Sequence, residues 1–185
     1  MKSLLAMRKT NNNFPEYIII HHSGGTDANP LEDTSHHTFE TIQSWHINGR
    51  GWDNIGYHYI IEKSGRVVAG RPENYHGAHA KALNKKSVGI MLSGNFDATL
   101  PTKEQEQALG KLLGEVAERH DISVEKMQPH RIHAQKTCYG KKLSDTWGQE
   151  IYKKYNPTEQ SDHADCVPNT ISALVGALIS KLNAR

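Results

Sequence analysis

Tyr17-Ile18-Ile19-Ile20-His21-His22-Ser23-Gly24-Gly25 sets a short apolar, β-branched run directly before two histidines and a pair of glycines. Such a run, bounded by turn residues, predicts a buried strand emptying into a loop. Side chains alternate along a strand, so only one of His21 and His22 can face a given site. The pattern alone does not choose between them.

Downstream, a polar stretch runs to about His37. From Thr38 to Asn48, Phe39, Ile42 and Trp45 recur every three residues, which predicts a helix ending at Gly49 with Trp45 in the core. Asn54 to Glu62 alternates Ile55, Tyr57, Tyr59 and Ile61 with Gly56, His58 and Ile60, then passes through Lys63-Ser64-Gly65-Arg66 to Val67-Val68-Ala69. The turn chemistry predicts a hairpin. Residues 72–86 read as a loop and Ser87 to Ser93 as a second buried strand.

After Pro101, Thr102 and Gln105 form a capping-box pattern ahead of Ala108, Leu109, Leu112, Leu113, Val116 and Ala117. That predicts an amphipathic helix of about five turns. Two more helices are expected, Ser144 to Tyr155 with Trp147 in the core, and Asn169 to Asn183. Strands interleaved with helices predict a single α/β domain, a central mixed sheet flanked by helices, over residues 15–185 behind an N-terminal tail of residues 1–14.

Composition narrows the function. The 22 Lys plus Arg against 20 Asp plus Glu leave a formal charge of +2, too weak a field to mark a nucleic-acid binder. No stretch reaches the roughly 20 apolar residues of a membrane span. The apolar patch near Met1 is shorter than the core of a secretory signal, which needs about seven residues or more. The expectation is a monomer made in the cytoplasm without an export signal. Cys138 and Cys166 are too few for a disulfide scaffold, although one bridge between them is compatible with their spacing.

Twelve histidines stand out, since histidine is the commonest metal ligand and titrates near neutral pH. A catalytic zinc site takes three protein ligands and keeps a fourth position open. One candidate donor is the histidine at the strand end, His21 or His22. A second cluster, Pro129-His130-Arg131-Ile132-His133-Ala134-Gln135-Lys136-Thr137-Cys138, holds two imidazoles, an amine and a thiol within ten residues. The competing reading of that cluster is a structural histidine beside a buried cysteine. His76 and His79 form a His-x-x-His pair that rivals these ligands, and His79 is expected in a substrate groove. His36, His37, His120 and His163 read as surface or loop residues.

Several segments together resemble a known family. Gly51-Trp52-Asp53-Asn54-Ile55-Gly56-Tyr57-His58-Tyr59-Ile60-Ile61, with Gly65-Arg66-Val67 and Gly70-Arg71, is similar to the core hairpin of the type 2 N-acetylmuramoyl-L-alanine amidases, which include phage lysozyme-amidases and animal peptidoglycan recognition proteins. Gly77-Ala78-His79-Ala80-Lys81 with Asn84, and Ser87-Val88-Gly89-Ile90, match in order and distance. The likeness runs from about Tyr17 to Cys138. Two departures are Tyr139 and Ile132, where many members carry Pro and Asp, and they bear on the loop's course more than on its ligands.

The resemblance implies one Zn2+ per chain on His21, His130 and Cys138, with Tyr57 and Lys136 as catalytic residues and His79 and Asn84 in the substrate groove. It implies hydrolysis of the amide between N-acetylmuramic acid and L-alanine of peptidoglycan, by a phage or prophage endolysin that acts on the cell wall. Cys138 argues for this lytic branch, because the muropeptide-recycling branch uses aspartate there, and non-catalytic recognition modules typically lack the cysteine. In the implied chemistry the metal polarises the scissile carbonyl, Lys136 offsets the charge on its oxygen, and Tyr57 hydrogen-bonds the reacting atoms and is the first choice for proton transfer.

Overall fold

Ile18, Ile19 and Ile20 are all fully buried, because β1 (Tyr17–His22) lies inside a sheet with parallel neighbours on both sides. A strand covered on both faces tolerates an unbroken apolar run. The computed structural model describes residues 12–157. The expected helix over Asn169 to Asn183, and Cys166, lie outside them; among the described residues Cys138 has no disulfide partner.

The sheet has the order β3-β2-β4-β1-β5, with β2 (Tyr59–Ile61), β3 (Val67–Ala69), β4 (Ser87–Leu92) and β5 (Met127–Pro129). Every pairing is parallel except β2 with β3, the hairpin expected from its turn residues. The strand part of that hairpin is shorter than the alternation suggested. His58 is fully buried, and its Nδ1 accepts the Gly89 N–H at 2.9 Å while Nε2 meets the Tyr75 carbonyl at 2.9 Å.

Among the described residues three α-helices cover the two faces: α1 (Phe39–Ser44), α2 (Lys103–His120) and α3 (Trp147–Tyr155). Against one face pack Leu109, Leu113 and Val116 of α2 and Trp147 and Ile151 of α3, meeting Ile18, Ile20, Val88 and Ile90. Burying each such side chain contributes roughly 1.5–3 kcal/mol. The other face carries a smaller cluster of Ile42, Ile55, Ile60 and Met91, with Phe39 and Tyr57 packed on it. The Thr102 capping box is formed: Thr102 Oγ1 accepts the Gln105 N–H and Gln105 Oε1 accepts the Thr102 N–H, both at 3.1 Å. Within the expected tail, Asn13 is buried and donates to the Glu73 and Ser87 carbonyls at 2.7 and 2.9 Å.

Two expectations are corrected. Trp45 is 52% exposed and not a core residue, whereas Trp147 is buried. The α-helix gives way at Trp45 to a wider π turn, Trp45–Gly49, which shifts the spacing by one so that His46 takes the inward position. Trp45 is turned out, with the Arg50 guanidinium 4.3 Å from its ring. The helix expected from Ser144 starts at Trp147 instead, since Tyr139 Oη donates to the Ser144 carbonyl at 2.8 Å and holds the preceding turn apart.

Candidate metal centre

The end of β1 resolves the choice between its two histidines. His21 shares a face with Tyr57, its Nδ1 3.6 Å from Cys138 Sγ. His22 points the other way, its Nδ1 accepting the Phe96 N–H at 3.0 Å. Because β1 and β5 are parallel with Ile20 opposite Pro129, the next residues, His21 and His130, fall side by side with ring centroids 4.5 Å apart. His21 is the last residue but one of β1 and His130 directly follows β5, so both sit at the carboxyl ends of parallel strands, where α/β sheets place ligands.

Cys138 reaches them from a loop fastened largely by Arg131. The Arg131 backbone N–H donates to the Cys138 carbonyl, and its side chain donates to the Gly140 and Leu143 carbonyls at 2.6 and 2.7 Å and to Asp145 Oδ1 at 2.5 Å. Tyr139, standing where proline is common, is fully buried against Trp147, and Ile132 is exposed. The His22 N–H donates to Cys138 Sγ at 3.5 Å.

One donor atom each from His21, His130 and Cys138 lies within 4.8 Å of the others, close enough to share one cation. Burial holds His21 well below the usual histidine range, with the fields of His79, His130, His22 and Lys136 adding to it. Burial, then Lys136 and His133, bring His130 down to about 4. Both rings therefore offer lone pairs at neutral pH. Burial pushes the Cys138 thiol up to about 12, so only a cation placed against it would make it a thiolate near pH 7. The donor set fits zinc, which favours nitrogen and sulfur ligands and leaves a fourth position in catalytic sites.

Tyr57 lies edge-on to His21 at 5.1 Å between ring centroids, and burial raises its phenol well above the ordinary range, so it is a neutral donor. Lys136 is exposed on the same loop as Cys138, and its charge depresses His21 and His130 and favours the thiolate of Cys138.

His79 lies behind the donor cluster: its Nδ1 is 3.0 Å from His21 Nε2, and its own Nε2 is buried. Asn84 Oδ1 accepts the His79 and Ala80 N–H groups, both at 2.9 Å, so its carbonyl end clamps the loop, leaving only Nδ2 for a ligand. His76 stays outside the cluster, its Nδ1 3.1 Å from the Gly77 carbonyl. Sequence reasoning passed over His46 and gave Arg71, matched with Gly70, no role. His46 stacks on Trp52 at 4.6 Å, tilts on Tyr57 at 5.6 Å and accepts the Gly56 N–H. Arg71 ties the Ile55 and His76 carbonyls together at 2.8 and 3.1 Å. Neither has a periodic signature, because each acts through one loop on another.

Comparison with known proteins shows what the chain as a whole is similar to. The chain is 34% identical over 110 residues to peptidoglycan-recognition protein SC2 of Drosophila melanogaster, a match covering 60% of this chain and 59% of that one. It thus spans less than two thirds of that relative's length. It is 37% identical over 112 residues to the endolysin of Escherichia phage T7, covering 57% of this chain and 72% of the endolysin. Among solved structures, the N-acetylmuramoyl-L-alanine amidase LysCS of Clostridium intestinale superposes with a TM-score of 0.66 at 31% identity, over 80% of this chain and 87% of that one. Drosophila PGRP-LB gives 0.61 at 29%, over 83% and 88%. Residues 11–141 match the family described as N-acetylmuramoyl-L-alanine amidase, and the chain belongs to that family.

Proposed function

We propose that the chain is a zinc-dependent peptidoglycan amidase that cuts between N-acetylmuramic acid and L-alanine of the stem peptide, and that it acts as an endolysin. The observation that carries this reading is the convergence of two neutral imidazoles and a half-buried thiol on one point beside a phenol and an ammonium. One zinc ion per chain, held by His21, His130 and Cys138, would supply Lewis acidity towards the amide carbonyl.

The chain's own groups do the rest. Tyr57, kept neutral by burial, donates a hydrogen bond to the carbonyl oxygen as that atom gains negative charge, and it is the nearest candidate to move a proton. Lys136, exposed at the rim, places a positive charge towards the same oxygen without closing the site. Both interactions strengthen with charge development and so act on rate more than on substrate affinity. In this reading residues 15–185 form the amidase domain, the enzyme is a monomer, and it is made in the cytoplasm and meets its substrate in the cell wall.

A recognition module that grips muropeptide without cutting it is the second reading, favoured by the likeness to peptidoglycan-recognition proteins. Cys138 in the donor cluster favours the enzyme. Purified protein incubated with intact sacculi, with and without a chelator, tests this. Chelator-sensitive release of free stem peptides is expected. Binding without release would establish the module, and cleavage of soluble anhydro-muropeptides alone would establish a recycling amidase.

A further inference from the structure

His79 makes no contact that would mark it for substrate: Nε2 is buried and Nδ1 is engaged by His21. Its ring is wedged between two glycines. A Cβ built on Gly89 of β4 would lie 2.5 Å from both Cδ2 and Nε2 of the imidazole, and one on Gly77 would collide with the same edge. Asn84 secures the loop from the other side, its Oδ1 accepting the His79 and Ala80 N–H groups and its backbone carbonyl the Gly77 N–H at 2.9 Å. The result is a ring set perpendicular to His21, at 89°, whose one hydrogen-bond partner among the described residues is His21.

That partner fixes a logic of tautomers. Each neutral imidazole carries one ring hydrogen. If His21 offers its Nδ1 lone pair towards Cys138, its hydrogen sits on Nε2 and is donated to His79 Nδ1, so the hydrogen of His79 sits on the buried Nε2. In the reverse arrangement His79 Nδ1 donates to His21 Nε2 and the hydrogen of His21 closes the Nδ1 that a cation needs. The two states make the same hydrogen bond in opposite directions, with the same number of protons.

We propose that His79 is a positioning residue, whose Nδ1 accepts the His21 Nε2–H and thereby holds His21 in the one tautomer and ring orientation that presents Nδ1 to the metal. This rests on the reading of His21, His130 and Cys138 as zinc ligands and assigns His79 to the metal centre in place of the substrate groove. Partners behind metal-bound histidines commonly change affinity by about 10–100-fold when removed.

The test is zinc affinity, measured by competition with a chromophoric chelator, for the wild type, His79→Leu and His79→Asn. Asparagine can place Oδ1 where Nδ1 lies; leucine offers no acceptor. His79→Leu is expected to bind zinc about 10–100-fold more weakly, and His79→Asn within about threefold of the wild type. Equal affinity for wild type and His79→Leu would overturn the inference alone. A wild type that binds no zinc would overturn the ligand reading beneath it. Should His79→Leu fail to fold, the wild type answers the question directly: in the zinc-loaded protein labelled with 15N-histidine, His21 is expected as the Nε2–H tautomer with a scalar coupling to His79 Nδ1. Finding the hydrogen on His79 Nδ1 would refute the proposal.

Discussion

Neighbours in the chain, His21 and His22 face opposite sides of β1: Nδ1 of His21 lies 3.6 Å from Cys138 Sγ, whereas Nδ1 of His22 accepts the buried Phe96 N–H at 3.0 Å. Their substitutions should therefore fail differently. His21→Ala is expected to lose zinc while the metal-free protein keeps most of its stability. His22→Ala strips a buried N–H of its acceptor, at about 1–3 kcal/mol, and should retain zinc. Zinc content and urea midpoints of both variants decide it, and loss of zinc in folded His22→Ala would contradict the assignment.

What separates these two residues was not legible from strand alternation, which says that they differ but not which faces the site; only the resemblance pointed to His21. The answer comes from register: β5 pairs with β1 so that His130 falls beside His21. The legible parts were local. The isoleucine run, the capping box at Thr102 and the hairpin turn each carry their signal within a few residues. The resemblance brought the three donors together, which spacing could not do across the sequence separation of 117 from His21 to Cys138. The π turn at Trp45 and the clamp of Asn84 on the His79 loop escaped notice, since one breaks the period a helix is read by and the other is a side chain acting on backbone.

Tyr57 and Lys136 stand beside the donor cluster and outside it, so their removal should separate rate from metal. Tyr57→Phe is expected to lower kcat on sacculus-derived muropeptide by about 100-fold or more, with zinc near one per chain. Lys136→Ala, losing an exposed charge, should cost about tenfold in kcat with KM little changed, because charge at the rim acts through a higher dielectric. A pure KM defect in either, or missing zinc in Tyr57→Phe, would show the role to be different.

Arg131 holds the cysteine loop by a planar fork reaching three separate oxygens, on Gly140, Leu143 and Asp145. Lysine keeps the charge and not the fork. Arg131→Lys should lose two of the three side-chain bonds, together about 1–3 kcal/mol. Cys138 would then be less well placed, and zinc affinity should fall along with thermal stability. If the melting temperature drops while affinity stays at the wild-type value, the loop does not position the thiol.

Acid should destabilise the metal-free fold through its buried histidines, those of the donor cluster and also His58 and His46 outside it. Burial brings His58 and His46 down to about 4 from an ordinary 6.5, with the charges of Arg50 and Arg71 adding to it at His46. At His58 the geometry gives a second reason: Nδ1 already accepts the Gly89 N–H, so a proton there would set donor against donor. The unfolded chain takes up these protons below about 6.5 and the folded chain does not until about 4. Stability is thus complete above the upper value and falls with pH between the two, by up to about 1.4 kcal/mol per pH unit for each group. Urea midpoints at pH 7.5, 6 and 5 should decline accordingly, and His58→Gln should flatten the slope by up to one proton while lowering stability at pH 7.5. A midpoint that is level from 7.5 to 5 would mean that these rings are protonated in the native fold and that Gly89 donates elsewhere.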